Sequence, residues 1–165
     1  MNKEVFTYPS SNGRWQVSAL IYTPDEGMVV RGVVQLSHGM SEYVKRYEPL
    51  ARELCQAGLV FCGNDHLGHG ATALLNREKL GYFGPRGARK FLVEDLELLR
   101  REVAGRYPGV PYFLLGHSMG SFIARLYARR FGGSLSGLIL SGTAGRNLAA
   151  GAGKVLARGV ALAKG

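Results

Sequence analysis

The fold is decided by the stretch Tyr112-Phe113-Leu114-Leu115-Gly116-His117-Ser118-Met119-Gly120-Ser121-Phe122-Ile123. An apolar run typical of a buried strand leads into Gly-x-Ser-x-Gly, and a helical pattern follows at once. The short pattern is weak by itself, but between a strand and a helix it predicts a sharp turn that raises a serine hydroxyl above the sheet. A simple N-cap serine is the alternative. The context favours Ser118 as a catalytic nucleophile.

Such a turn needs room and a charge-stabilising environment. Gly116 and Gly120 are expected to let the two limbs of the turn approach each other. The N-terminus of the following helix favours a developing oxyanion. The residue after the nucleophile donates one main-chain N–H to that oxyanion, which assigns Met119.

A second oxyanion donor is expected in the loop after an earlier strand. His38-Gly39-Met40 follows the apolar run Val33-Val34-Gln35-Leu36 after one residue, Ser37. This placement assigns the main-chain N–H of Met40. The alternative is a glycine turn with a structural histidine.

A histidine-rich run, Asp65-His66-Leu67-Gly68-His69-Gly70, follows another apolar segment at 59–63. Its Asp-His-x-x-His spacing suggests zinc at first, but it lies in a glycine-rich turn with no further ligand nearby. We therefore expect no metal and no cofactor. Asp65 and His66 are expected to bond loop backbone, while Gly68 and Gly70 shape the turn.

Strand-like and helix-like segments alternate, which predicts one α/β domain with a mostly parallel sheet and flanking helices. In the first helix, Leu50, Leu54 and Ala57 are expected to face inward. Strands are expected at 5–8, 15–22, 31–37, 59–63, 111–116 and 135–141, and helices at 47–57, 88–107 and 118–131.

Composition and charge limit the function classes. The chain has 165 residues, is 46% hydrophobic and carries a net charge of +9. Most of that charge follows Ser118, where no acidic residue occurs and the basic residues are Arg125, Arg129, Arg130, Arg146, Lys154, Arg158 and Lys164. They lack interleaved aromatics, so nucleic-acid binding is not expected.

The expected compartment is the cytoplasm. Cys55 and Cys62 fit no metal or redox motif and are expected to be reduced core thiols. No signal peptide is recognised, and no apolar stretch approaches the length of about 20 residues that spans a membrane.

Three motifs together resemble the monoacylglycerol lipase and lysophospholipase family of α/β hydrolases. His38-Gly39-Met40-Ser41-Glu42-Tyr43 with Arg46-Tyr47 is similar to its HG-x-x-E…RY segment, 65–70 to its D-x-x-G-H-G loop, and 116–120 to its GHSMG elbow. The resemblance covers roughly 30 to 142. It implies the α/β-hydrolase fold and a serine esterase that forms an acyl-enzyme from monoacylglycerols or lysophospholipids, with His38, Gly39, Gly116, His117 and Gly120 supporting the motifs. Residues 1–145 would then be the core, and 146–165 the incomplete start of a cap.

One departure from the family is decisive. Its triad runs Ser, then Asp or Glu, then His. No Asp, Glu or His follows Ser118, and all four histidines belong to earlier motifs or to the elbow. His117 is expected to point away from Ser118, and the loop of His38 to be committed to positioning N–H donors. We therefore expect the N-terminal part of a hydrolase, ending after about the sixth strand and inactive alone.

The scaffold is compatible with further functions. A proline-releasing aminopeptidase or a cofactor-free haloperoxidase would use the same fold, and a non-catalytic binding module would have lost its triad. The expected partners are a small acyl ester and a missing C-terminal half. The segment 146–165 would otherwise be an amphipathic helix that touches a membrane surface. The strand at 135–141 is expected to be a bare apolar edge.

Overall fold

A computed structural model describes residues 1–85 and 87–145. The predicted start of a cap at 146–165 lies outside these residues. In chain order the elements are β1 Asn2–Pro9, β2 Gln16–Thr23, β3 Gly32–Ser37, a 3₁₀ turn Val44–Tyr47, α1 Glu48–Gln56, β4 Leu59–Asn64, α2 Gly70–Leu75, α3 Arg89–Arg106, β5 Tyr112–His117, α4 Met119–Phe131, a 3₁₀ turn Gly132–Ser134 and β6 Gly137–Ser141.

The strands form a single mixed sheet in the order β1-β2-β4-β3-β5-β6. The first three strands in this order pair antiparallel, and every later pairing is parallel. The predicted mostly parallel α/β fold is thereby confirmed. Ser37, the last residue of β3, lies opposite Gly116 of β5, so the loop after β3 leaves the sheet beside the turn that holds Ser118.

Alternate side chains of β3 face opposite sides of the sheet, as strand geometry requires. Val33 packs in a cluster with Leu99 and Val103 of α3. Val34 and Leu36 pack in another cluster, which contains Ala51 and Cys55 of α1. The helices therefore cover both faces, with α3 on one face and α1 on the other.

The predicted inward face of α1 is wrong by one position. Ala51 and Cys55 are buried, whereas Leu50 and Ala57 are exposed and Leu54 is half-buried. Both sets lie on one broad apolar stripe, and sequence periodicity does not tell which edge of the stripe meets the sheet. Small side chains at the contact let the helix lie close to β3 and β4.

Both cysteines are free and buried, as predicted. Burial raises the pKa of the Cys62 thiol to about 12, so it stays protonated and unreactive. Within the described ranges, no helix combines the length and apolar character needed to cross a bilayer.

A buried carboxylate joins α3 to α4 and so supports the helix that follows Ser118. Glu97 accepts hydrogen bonds from Tyr127 at 2.6 Å, from Arg100 at 2.8 Å and from Arg101 at 2.7 Å. Burial alone would raise the pKa of Glu97, but these bonds and the Arg100 charge lower it to about 2. The carboxylate is therefore ionised and paired at neutral pH.

Candidate active site

The turn between β5 and α4 holds Ser118 in a strained backbone conformation, with φ 49° and ψ −119°. Non-glycine residues rarely adopt positive φ, and such strain is concentrated at functional sites. The Ser118 N–H donates to the Ser141 carbonyl at 2.9 Å. The Ser118 carbonyl oxygen accepts hydrogen bonds from the Ser121 hydroxyl at 2.6 Å and from the Ser121 N–H at 2.9 Å. The main chain of Ser118 is therefore held on both sides.

Glycine is required on both limbs of this turn. A Cβ atom on Gly120 would lie 1.8 Å from the Ser37 carbonyl oxygen, inside any van der Waals contact. A Cβ atom on Gly116 would lie 2.7 Å from the Gly120 oxygen and 2.8 Å from the Ala124 Cβ. Only bare backbone lets α4 approach the end of β3 this closely.

The loop after β3 lies directly over Ser118. A Cβ atom on Gly39 would be 3.3 Å from the Cβ of Ser118. Glu42 holds this loop, because its Oε2 accepts the Gly39 N–H at 2.9 Å and the Tyr47 hydroxyl at 2.6 Å. Burial would raise the pKa of Glu42, but these two bonds, aided by the charges of His117 and Arg46, lower it. An ionised Glu42 therefore fixes the loop.

The two expected oxyanion donors are not used by the protein itself. Within residues 1–85 and 87–145, the main-chain N–H groups of Met40 and Met119 donate to no protein atom. Met40 belongs to the loop that covers Ser118, and Met119 begins α4. Unpaired donors at a helix start and an adjacent loop are suited to binding a negatively charged oxygen.

His38 connects two loops and has no nitrogen free for proton transfer. Its Nδ1–H donates to the Gly39 carbonyl at 2.8 Å, and its Nε2 accepts the His66 N–H at 2.9 Å. The ring is fully buried, and this burial lowers its pKa to about 4. His38 is therefore a neutral support for the loop.

The run 65–70 has a structural role at the end of the sheet. Asp65 accepts the Val44 N–H at 2.8 Å and the Ala71 N–H at 2.7 Å, so it bonds loop backbone as expected. The corresponding expectation for the ring of His66 is wrong. Its Nε2 instead lies 3.0 Å from the Ser37 hydroxyl, because the fully buried ring points toward the end of β3.

Two glycines shape the turn of this run, as expected. Gly68 and Gly70 both have positive φ, and a Cβ on Gly68 would lie 2.4 Å from the Tyr82 carbonyl oxygen. In the part of the chain that the structure describes, no group of three His, Cys, Asp or Glu side chains could hold a metal ion.

His117 contacts the last residue of β6. Its Nδ1 is 3.2 Å from the Ser141 hydroxyl, and its ring lies edge-on to Tyr47 with 6.4 Å between ring centres. Among the described residues, neither His117 nor His38 is placed to form a hydrogen-bonded pair with the Ser118 hydroxyl.

Two apolar grooves share Phe83 in their lining, and Met40 lines one of them and Met119 the other. A groove of about 720 Å³ runs past Met40, and one of about 670 Å³ runs past Met119. Besides Phe83, the first is lined mainly by Tyr43, His69, Leu74 and Leu80, and the second by Ala88, Leu92, Phe122, Ile123 and Leu126.

Sequence reasoning missed three residues that hold the site, namely Glu42, Tyr47 and Ser121. Glu42 and Tyr47 lie in the quoted motif at 38–47, but nothing in the spacing showed that both would bond around Gly39. Ser121 carried no signal, because a serine in the first turn of a helix is common.

Comparison with protein families supports this architecture. The profile of the family described as Hydrolase_4, serine aminopeptidase, S33, matches residues 29–162. A monoacylglycerol lipase of Mycolicibacterium smegmatis is 37% identical over 126 residues, which are 75% of this chain and 41% of that protein. A monoglyceride lipase of Homo sapiens is 34% identical over 117 residues, which are 67% of this chain and 34% of that protein.

Solved structures of esterases and lipases share this fold. A highly thermostable carboxyl esterase from Bacillus coagulans, in complex with glycerol, has a TM-score of 0.84 and 40% identity over 99% of this chain and 52% of its own. A soluble variant of the monoglyceride lipase from Saccharomyces cerevisiae, bound to a substrate analog, has a TM-score of 0.70 and 27% identity, covering 85% of this chain and 44% of its own. The chain spans less than half the length of the curated relatives that it matches.

Proposed function

The chain belongs to the serine aminopeptidase S33 family of α/β hydrolases, and from this premise we propose that it carries the nucleophile and oxyanion hole of a serine esterase. The observation that carries the proposal is the strained Ser118, at the start of α4 and beneath the loop of Met40. This arrangement suits acyl transfer, because Met119 is the first residue of the helix that follows Ser118 and the Gly39 segment that leads to Met40 lies against Ser118.

In the proposed reaction, the Ser118 Oγ attacks the carbonyl carbon of a carboxylic ester while a general base takes its proton. The carbonyl oxygen becomes an oxyanion held by the Met40 and Met119 N–H groups. The bond to the alcohol then breaks, the alcohol leaves with a proton, and water hydrolyses the acyl-enzyme. Loss of one oxyanion donor typically lowers turnover by about 10²–10³.

The base of this reaction is proposed to come from polypeptide outside the 165 residues. No Asp, Glu or His follows Ser118 in the sequence. His38 has both ring nitrogens bonded and its pKa lowered to about 4. Removing the base of a serine triad lowers turnover by about 10⁶, so we propose that the chain alone is inactive.

The proposed substrates are monoacylglycerols or lysophospholipids. Two relatives are a monoacylglycerol lipase and a monoglyceride lipase, and a similar esterase binds glycerol. The apolar grooves beside Met40 and Met119 would suit an acyl chain. A cytoplasmic location is proposed from the two free, buried thiols. Contact of 146–165 with a membrane surface remains a proposal about residues outside those described.

A second candidate is an aminopeptidase, which the family description itself favours. Haloperoxidase chemistry and a non-catalytic binding module are also compatible with this scaffold. Prolyl amides and monoacylglycerols distinguish the aminopeptidase from the esterase directly, because the leaving groups are an amine and an alcohol.

The first experiment is the nucleotide sequence downstream of the Gly165 codon. A frame that continues, or resumes after a shift, into a strand with an Asp loop and a strand with a His loop would supply the acid and the base. A true stop with no complementary half nearby would contradict the esterase proposal and favour a remnant or a binding module.

The second experiment is a chimera that joins residues 1–165 to the part of the Bacillus coagulans esterase that this chain does not cover. We expect hydrolysis of monoacylglycerols, complete loss with Ser118→Ala, and full retention with the control Ser136→Ala. Activity that survives Ser118→Ala, or a folded chimera that hydrolyses only prolyl amides, would overturn the ester proposal.

A further inference from the structure

A small cavity of about 180 Å³ lies where the turn between β1 and β2 meets the segment that leads into α3. Its lining includes three aromatic residues, Trp15, Phe83 and Phe91, together with Arg14. An apolar cavity of about 150 Å³ can hold benzene, so this space matches a single aromatic ring. It is much smaller than the grooves of about 670 and 720 Å³, and a long acyl chain would not fit in it.

The walls of this cavity are held in place by the protein. Trp15 is buried in a core cluster, and Phe83 and Phe91 pack against the same cluster. The Asn12 side-chain oxygen accepts the Arg14 N–H at 2.8 Å and the Trp15 N–H at 3.0 Å, so the backbone of both residues is fixed. A cavity with fixed walls needs little ordering to accept a ligand.

Gly84 keeps the space beside the indole ring open. It lines the cavity and has a positive φ of 116°. A Cβ atom on Gly84 would lie 3.1 Å from the Ala88 Cβ and 3.6 Å from the Trp15 Cζ3. A side chain at this position would therefore occupy part of the space that glycine leaves to a ligand.

Positive charge surrounds the cavity and is weakly compensated. The Arg14 guanidinium lies 5.6 Å from the centre of the Trp15 ring, and the carboxylate paired with it, Glu78, is 3.9 Å away, beyond hydrogen-bond distance. The Lys90 ammonium lies 4.7 Å from the centre of the Phe91 ring. The N-terminus of α3, whose first turn has no acidic residue, adds a partial positive charge beside the cavity. An anionic ligand would therefore be favoured.

We propose that this cavity binds a small aromatic carboxylate, with its single ring against Trp15 and Phe91 and its carboxylate paired with Arg14. A planar guanidinium suits a carboxylate, because it offers two parallel N–H donors. The binding requires no chemistry at Ser118 and does not rest on the esterase proposal. Phe83 also lines both grooves, so the ligand would contact a side chain shared with the candidate active site.

The test is fluorine NMR of para-fluorobenzoate titrated with the full chain. We expect saturable broadening of the fluorine line, which excess benzoate reverses by competition. Excess acetate should not reverse it, because acetate carries the charge but lacks the ring. Absence of saturable binding at millimolar ligand, or competition by acetate as effective as that by benzoate, would overturn the proposal.

Arg14→Gln should weaken binding of para-fluorobenzoate about fivefold, because an exposed ion pair is lost. It should not change the binding of para-fluorobenzyl alcohol, a neutral ring of similar size. Arg52→Gln is the matched control, because Arg52 also faces one carboxylate, Glu48, at 3.8 Å, but lies on α1 across the sheet. Equal weakening by the two variants, or an alcohol that binds as tightly as the carboxylate, would overturn the proposal.

A second readout locates the ligand, because Trp15 is the only tryptophan in the chain. Its emission should change saturably, with the same affinity as the fluorine line. Leu126→Ser and Leu80→Ser, each in the wall of one groove, should leave both readouts unchanged. Loss of binding in either variant, or binding without a change at Trp15, would place the ligand in a groove and overturn the proposal. Because no ester takes part, failure here leaves the esterase proposal unaffected.

Discussion

The turn at Ser118 and the edge strand β6 are neighbours but differ sharply in how completely the protein surrounds them. At the turn, Gly120 touches the end of β3, and the Ser118 main chain is bonded to Ser141 and Ser121. On β6, which pairs only with β5 in the described part, Leu138, Ile139 and Leu140 are all exposed. The two regions are joined by one parallel ladder, in which His117 lies opposite Ser141.

This difference separates two requirements of the catalysis proposed for Ser118. Positioning the serine needs only backbone that is close in space, and β3, β5 and α4 supply it. Activating the serine needs an acid and a base, which in this family follow Ser118 along the chain. The two edges of the sheet also differ in charge, because β1 carries Lys3 and Glu4 near its start, whereas the interior of β6 is Leu-Ile-Leu. Charged side chains protect an edge strand from wrong pairing, and β6 lacks them.

The largest effect is expected at Gly120. Replacement by alanine puts a methyl group 1.8 Å from the Ser37 carbonyl oxygen, so backbone must move. We expect the free energy of unfolding in urea to fall by about 3 kcal/mol or more, or the unfolding transition to disappear. Gly133→Ala is the control, because its added methyl group meets nothing within 4 Å, and it should change stability by less than about 0.5 kcal/mol. Equal effects of the two changes would show that the turn is not tightly packed.

The next effect concerns pH and the support beneath the Met40 loop. Burial lowers the pKa of His38 from 6.5 to about 4, and burial also lowers the pKa of His66. Below pH 6.5 the unfolded chain binds protons that folded His38 refuses, so His38 lowers stability as the pH falls from about 6.5 to about 4. The slope from one such group reaches about 1.4 kcal/mol per pH unit.

His38→Gln isolates this contribution. Urea unfolding at several pH values should show a smaller loss of stability toward pH 4 in the variant than in the parent. Asp65, whose pKa burial raises, titrates in both proteins and cancels in the difference. Identical pH slopes would mean that the neutral, buried state of His38 is not required for folding.

A smaller effect tests the strain at Ser118. Glycine adopts φ 49° freely, whereas alanine does not. We expect the free energy of unfolding of Ser118→Gly to be about 1 kcal/mol higher than that of Ser118→Ala. The pair Ser136→Gly and Ser136→Ala is the control, because Ser136 has no positive φ and alanine should be the more stable there. The same order at both positions would argue against stored strain at the turn.

The smallest effect on stability, but a clear one on solubility, is expected at the sheet edge. Ile139→Lys should change the free energy of unfolding by less than about 0.5 kcal/mol and reduce light scattering of the concentrated chain. Val5→Lys, at an exposed position on the other edge strand, is the control and should leave scattering unchanged. If both changes reduce scattering equally, general charge, and not the β6 edge, governs aggregation.

Most of the fold was predictable, since local patterns specify strands and helices wherever they are long. The exception is α2, whose six residues Gly70–Leu75 are too few to show helical periodicity and follow a glycine-rich turn. The strand order was not predicted either, because the same alternation of apolar segments is compatible with several orders.

The amino-acid sequence by itself determined the turn at 116–120, the two glycine-bearing loops and the lack of an acid or a base after Ser118. The turn and the loops depend on glycine at fixed positions, because only glycine permits such close backbone contact. The lack of an acid or a base is read directly from the residue types after Ser118. Only the tertiary structure decided that Glu42 holds Gly39, that His66 meets Ser37, and that Leu74 and Leu80 join an exposed surface to the groove beside Met40. Some of these contacts join residues that are distant in the chain, and others depend on the direction in which a loop side chain points. Both are set by how the strands and loops pack, and no local sequence pattern specifies them.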